Sequence, residues 1–215
     1  MRKKKLQLDF WSIDFEALAA DRVRRIETKR KRAETMALRE LTVPESMQRL
    51  KFTMVSKFLS QAKEVVRMGY AKAYRRRELS EINLAVRVLL RSAIVGVYPD
   101  YRLDFSKIAM SVASGLKLVR EPELLISEDG KLKVTWSGES SYSGSIGARD
   151  EVVFYIYNER TGVGEAYFDV ARRDDLSFEI GYPFDRKGDV IHCWIFMVTG
   201  GRGKVSKSEY MRGVV

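Results

Sequence analysis

A single histidine, His192, and a single cysteine, Cys193, stand side by side in the 215-residue chain, and they limit the chemistry it can offer. Adjacent side chains on a strand point to opposite faces, so one metal ion cannot take both. Zinc otherwise needs clustered Cys and His, and no EF-hand spacing of carboxylates is present for calcium. The expected arrangement therefore puts one of the two residues in the core and the other in solvent. A Ser–His or Cys–His nucleophile pair would have to use His192, and no nucleophile-elbow motif occurs. Asp174-Asp175 lies between two apolar runs, where turn chemistry accounts for paired acids. Gly200-Gly201-Arg202-Gly203 lacks the Lys-Ser/Thr and the helix of a phosphate-binding loop. It predicts a hairpin turn, and a basic loop at the end of a β domain is also a place where partners bind. The expectation is no catalytic residue, no metal and no cofactor.

The cations say more. Lys29-Arg30-Lys31-Arg32 and Arg75-Arg76-Arg77 form two blocks, and Arg2–Lys5 a third. Residues 1–107 hold 25 Lys/Arg against 13 Asp/Glu, while residues 108–215 hold 14 against 16. Such asymmetry suggests that the basic half meets something acidic: nucleic acid, an acidic protein surface or an anionic membrane. The alternative is a solvated face that serves solubility. Tyr70 and Tyr74, with Phe10 and Trp11, stand near the clusters and could stack on bases. No helix-turn-helix, RNP or zinc-finger signature accompanies them. Phe10, Trp11 and Phe15 also fit a simpler role, as anchors packing the first helix on the body or on another subunit.

Composition supports a folded chain, with 45% hydrophobic and 11% aromatic residues. One cysteine allows no internal disulfide, which fits a reducing, cytoplasmic setting. Met1–Lys5 and Ala17–Ala20 resemble the two ends of a signal peptide. Asp9, Asp14 and Glu16 lie between them, and a secretory apolar region does not carry three acids. No run of 18 apolar residues occurs, so no membrane insertion is expected.

Residues 9–41 read as helix, with no apolar residue from Glu27 to Arg32; a helix polar all round is poorly buried there. Thr42 and Glu45 have capping-box spacing and Pro44 suits a first turn, so a second helix runs to about Tyr74. Leu50, Met54, Phe58, Ala62, Val65 and Val66 share one of its faces, and Gly69 permits close packing. A third helix spans about Ser80 to Val95, with Gly96 as its stop. The second and third helices read as a hairpin. Beyond Asp100 the period changes to that of strands. Seven are expected, at residues 107–113, 132–136, 152–157, 165–170, 176–180, 189–198 and 204–211. The fold class is α+β, an N-terminal helical region followed by a seven-stranded antiparallel β-sandwich. Its segments are 1–43 (charged helical extension), 44–104 (helical hairpin) and 105–215 (β-sandwich).

Arg49–Leu59, Ala93–Tyr101, Asp104–Lys107 and Lys131–Trp136, in that order, resemble an uncharacterised family common in Bacteroidetes genomes, a domain of unknown function. The resemblance covers about residues 45–215 and implies a helical hairpin followed by a β-sandwich. It implies no catalytic residues. Residues 1–43, a charged helix, depart from the short Gly-rich β segment with which its members begin. Separately, the run ending Val134-Thr135-Trp136 resembles the second strand of fibronectin type III domains, where a tryptophan sits in the core. The implied sandwich is thus immunoglobulin- or fibronectin-III-like.

The functional expectation is a non-catalytic structural or interaction protein. Its basic helices bind a protein partner or further copies of the chain, a build that suits a phage or prophage assembly component. The alternative is a nucleic-acid-binding accessory protein without sequence readout. An enzyme working through carboxylates and arginines alone ranks third, to be revived by a deep pocket with converging polar groups. No small-molecule substrate is identifiable.

Overall fold

The computed structural model describes residues 20, 22–31, 41–74, 79–112, 115–127, 131–137, 149–181, 187–200 and 203–215, with the backbone alone for residues 72–74. The chain divides into two units, Met1–Ser46 and Met47–Val215. Within the first, residues 22–31 are helical (α1). Thr42 N donates to Glu45 Oε2 at 2.9 Å and Glu45 N to Thr42 Oγ1 at 3.5 Å, the reciprocal box expected from their spacing. It opens α2 (Val43–Gln61).

The helix expected to run on to Tyr74 is interrupted at Ala62, and α3 (Lys63–Tyr74) follows. Ala62 N reaches back only three residues, to Leu59 O at 3.2 Å, before Val66 N restores the four-residue pattern to Ala62 O at 2.9 Å. Both segments bury one apolar set, Val55, Phe58 and Leu59 followed by Ala62, Val65, Val66 and Tyr70. Ser80 caps α4 (Glu81–Ser92) by accepting from Asn83 N. That helix stops at Ser92 rather than Val95, because Ile94–Val95 (β1) pairs with Arg102–Leu103 (β2). Gly96, at φ 92°, serves the connection of this small hairpin rather than a helix end.

Of the strand expected at 107–113, the described residues 107–112 form none. Asp104 caps a 3₁₀ turn, Phe105–Lys107, and residues 108–112, apolar but for Ser111, are unpaired with any strand. Their polar groups are satisfied otherwise. Trp194 Nε1 donates to Ile108 O at 3.0 Å and Tyr70 Oη to Ala109 O at 2.8 Å. Met110 N donates to Ser208 Oγ at 2.9 Å and Val112 N to Gly69 O at 3.0 Å. Ile108 and Met110 are buried as strand residues would be, which is why the pattern misleads.

The first strand of the larger sheets is instead β3 (Arg120–Ile126), hidden in sequence by Glu-Pro-Glu. It is an edge strand with a register shift between Arg120 and Glu123, where proline is tolerated. It pairs with β4 (Lys131–Ser137), which pairs with β7 (Ser177–Gly181). The second antiparallel sheet has the order β6 (Val163–Arg172), β5 (Glu151–Asn158), β8 (Val190–Val198), β9 (Glu209–Val214). Of the run expected at 204–211, only its end is strand; Val205 makes a lone bridge to Val198.

Alternation explains the two cores of the second unit. Leu132, Val134 and Trp136 of one sheet meet Val152, Phe154, Ile156, Cys193 and Ile195 of the other. On the opposite face of β5 and β8, Val153, Tyr155, Trp194 and Phe196 pack with α2, α3 and α4. Strands covered on both faces read as continuous apolar runs, as 152–157 and 193–198 do. Trp136 lies in the core as the fibronectin-like run implied, and its Nε1 donates to Arg173 O at 2.8 Å.

Gly69 lets α3 touch the 108–112 segment, since a Cβ there would sit 2.1 Å from the backbone Met110 O. Gly69→Ala is expected to destabilise the fold by about 1–3 kcal/mol through this clash, outweighing its gain of ~1 kcal/mol in helix propensity. A urea unfolding midpoint equal to or above that of the wild type would contradict the contact.

Candidate functional site

Every described residue of α1 is exposed. Arg22, Arg24, Arg25, Lys29, Arg30 and Lys31 stand on it against one acid, Glu27. Val23 and Ile26, one turn apart, are 53% and 58% exposed. A helix carrying an uncovered apolar pair among cations has the composition of an attachment element. Arg32, Arg75, Arg76, Arg77, Phe10, Trp11, Phe15, Gly201 and Arg202 lie outside the described residues. Gly200 and Gly203 are placed. Beside them Thr199 N donates to Lys204 O at 3.1 Å and Lys204 N to Thr199 Oγ1 at 2.9 Å, closing a loop next to the Val198–Val205 bridge.

Polar groups that no motif revealed converge elsewhere, around His192. The side chains of His192 and Cys193 do point to opposite faces, and Cys193 is in the inter-sheet core. His192 is not in solvent, however. It is 3% exposed, because the face of the sheet that would have met water is covered. Phe105 stacks on its ring at 4.0 Å and 26°. The 3₁₀ turn brings Phe105 there. Asp104 Oδ1 accepts from Ser106 N at 3.2 Å, while Asp104 Oδ2 pairs with Lys107 Nζ at 2.9 Å. These partners, the Ser106 hydrogen bond foremost, hold the Asp104 carboxyl below its ordinary range.

Both ring nitrogens of His192 are engaged. Nδ1 lies 2.8 Å from Tyr210 Oη and Nε2 lies 3.1 Å from Glu159 Oε2. Burial lowers the pKa of His192, the Glu159 carboxylate opposes that shift and Arg212 adds to it, so the ring is neutral near pH 7. A neutral ring has one N–H. An ionised carboxylate can only accept, so Nε2 carries the hydrogen and donates to Glu159. Nδ1 then accepts from the Tyr210 hydroxyl. The row Glu159–His192–Tyr210 thus has one consistent direction of donation.

Glu159 is held in place by its chain neighbours. Asn158 Nδ2 donates to Asp189 Oδ2 at 2.6 Å, and Arg160 donates to both oxygens of the same buried carboxylate, at 2.5 and 2.9 Å. Glu159 N donates to Val190 O at 3.1 Å. On β9, Tyr210 and Arg212 are two residues apart and so share a face, with Arg212 directly across from His192. These groups, with Leu103 and Phe105, line a pocket of about 420 Å³. A second, mainly apolar groove of about 440 Å³ runs between α3, at Met68 and Ala71, and Phe168 of β6.

The lowered pKa of His192 makes a pH prediction. Its folded value lies below its unfolded one, so the unfolded chain binds the proton first as pH falls. Stability should be constant above the ordinary histidine pKa of about 6.5 and decline as the pH drops below it. In His192→Gln that share of the decline should vanish. Urea midpoints recorded from pH 8 to 5 check this (about half-unit steps resolve the window); equal slopes in the two proteins would contradict it.

Among the described residues no three His, Cys, Asp or Glu side chains gather as metal ligands, and no helix is long and apolar enough to cross a membrane. The profile of a family of unknown function, DUF6266, matches residues 18–212. No curated protein matches the chain. Among solved structures, the rat CD45 extracellular region, domains d3-d4, is similar at 9% identity and TM-score 0.35, over 57% of this chain and 62% of that one. The chain thus spans less than two thirds of the CD45 fragment. A fibronectin type III domain of human collagen XX is similar at 16% identity and TM-score 0.31, over 49% of this chain and 98% of that one. Similarities of this size say nothing of what the chain does.

Proposed function

Because the chain belongs to the DUF6266 family of unknown function, which lends it no activity, we propose from its own residues that it is a non-catalytic interaction protein. The family match begins at residue 18, so residues 18–43 lie inside the match, whereas the sequence resemblance had residues 1–43 depart from the family.

In this reading the two sheets are a seven-stranded sandwich of the immunoglobulin or fibronectin-III kind, and the helices packed on it make a rigid body. α1 is the attachment element. The observation that supports it is a helix exposed along every described residue, with six cations, one acid and the uncovered Val23–Ile26 pair. The partner is an acidic surface on another protein or on a second copy of the chain. Charge provides steering and the apolar pair provides contact area.

Chromatography with light scattering at low and high salt tests the self-assembly branch. The expected result is a larger species at low salt that dissociates as salt rises. A strict monomer at every salt and at high protein concentration would remove that branch. Nucleic acid is the second reading, carried by the same cations. It predicts log affinity falling linearly with log salt, with a slope set by the number of phosphates neutralised.

A further inference from the structure

We infer that the pocket over His192 binds a small zwitterion, a molecule with an ammonium and a carboxylate a few ångströms apart, of which a free α-amino acid is the simplest kind. The inference concerns only the second unit and stands apart from the role proposed for α1.

Of the three charged side chains lining the pocket, one is spent. Asp104 is already paired with Lys107 and bonded to Ser106. Glu159 and Arg212 remain. They stand on β5's end and on β9, both beside His192, and they form no ion pair with each other. Among the described residues Arg212 has no carboxylate partner within salt-bridge distance. β8 lies between their two strands, so they stand on either side of His192. Here they leave a negative and a positive wall with an open pocket of about 420 Å³.

The direction of the hydrogen-bonded row decides what each wall can take. Glu159 receives the His192 N–H on Oε2, and its second oxygen is left to accept from an ammonium. Tyr210 spends its hydrogen on Nδ1, so its oxygen enters the pocket as an acceptor too. Arg212 can only donate, and its planar fork matches a carboxylate in two parallel bonds. Acceptors on one side and a fork of donors on the other fit a ligand with a donor cation and an acceptor anion. Leu103 and Phe105 supply an apolar wall for its side chain. A plain anion would face Glu159 unneutralised, and a plain cation would face Arg212.

The test is a ¹H–¹⁵N titration of the full chain with L-leucine, alongside leucinamide, which lacks the carboxylate, and N-acetyl-L-leucine, which lacks the ammonium. Saturable shifts confined to the residues around His192, Glu159 and Arg212 are expected for L-leucine at concentrations around ~1 mM. Either truncated probe should bind about tenfold more weakly or less, as should R212Q and E159Q with L-leucine. Both side chains are exposed, so the variants should keep the wild-type spectrum elsewhere. Absence of saturable shifts, equal binding of either truncated probe, or full affinity in R212Q would each overturn the inference.

Discussion

Arg173→Met is expected to cost about 3–5 kcal/mol of folding stability, because it leaves a buried carboxylate without its partner. Arg173 is 2% exposed, and its guanidinium donates to Asp150 Oδ2 at 3.2 Å and to Lys117 O at 2.8 Å. The backbone is tied in as well. Arg173 N donates to Asp150 O at 3.0 Å, and Arg173 O receives the Trp136 indole at 2.8 Å. Removing the guanidinium strands the Asp150 carboxylate in the protein interior. Burial already pushes the Asp150 pKa up, and Arg173 is what holds it down. Without Arg173 the rise becomes larger.

A carboxyl with a raised folded pKa gives stability that is present at low pH and lost as pH rises through that pKa. The deficit of Arg173→Met should therefore shrink as the solution is acidified and Asp150 takes a proton. Adding Asp150→Leu should recover much of the loss, because replacing both members of a buried pair by apolar groups is often close to neutral. Urea unfolding of the two single variants and the double variant measures this. A single-variant loss below about 1 kcal/mol, the range of exposed pairs, would show that the pair behaves as if it were on the surface.

The second large effect concerns attachment. Replacing Arg22, Arg24, Arg25, Lys29, Arg30 and Lys31 of α1 by Gln keeps helix propensity nearly constant while removing the charge. Affinity for a fluorescein-labelled polyglutamate should fall about a hundredfold or more near 50 mM salt, and the dependence on salt should flatten with it. Single-stranded DNA of similar length separates the two proposed partner classes. Its binding would be expected to exceed that of polyglutamate only if phosphate is the intended target. The folded body should be unchanged, so the unfolding midpoint serves as the control. Unchanged affinity for both probes would remove α1 from consideration.

Much of this architecture is legible in the sequence because burial there follows simple periods. The α2 cap is written in Thr42 and Glu45, and α4 in the apolar spacing from Ile82 to Leu90 behind Ser80. β4, β5 and β8 are plain because their alternating or continuous apolar runs report which faces are covered. Two elements mislead for physical reasons. Residues 107–113 have the apolar content of a strand, but side chains of Tyr70, Trp194 and Ser208 take their backbone bonds in place of a ladder. β3 is a strand despite Pro122 because it lies at a sheet edge, where a missing N–H is harmless.

The His192 pocket was not legible at all. Glu159, His192 and Tyr210 are far apart in sequence and meet only through the register of β8 with β5 and β9. The one local sign is that Tyr210 and Arg212 sit at the spacing that puts two side chains on one strand face. The expectation that one of His192 and Cys193 would be solvated failed because the sheet has packing on both faces. The basic clusters carry the opposite lesson. Composition marks them at once, but a cluster in sequence defines a surface only when its helix stays uncovered, as α1 does along its described residues.

The most direct measurement is what travels with the chain when it is isolated from its native cells in low salt, with the six-Gln α1 protein processed in parallel. The expected companion is an acidic macromolecule that leaves in high salt and is missing from the six-Gln preparation. Absorbance at 260 nm then tells protein from nucleic acid. A companion retained equally by both proteins, or a wild-type chain that always emerges alone, would contradict attachment through α1.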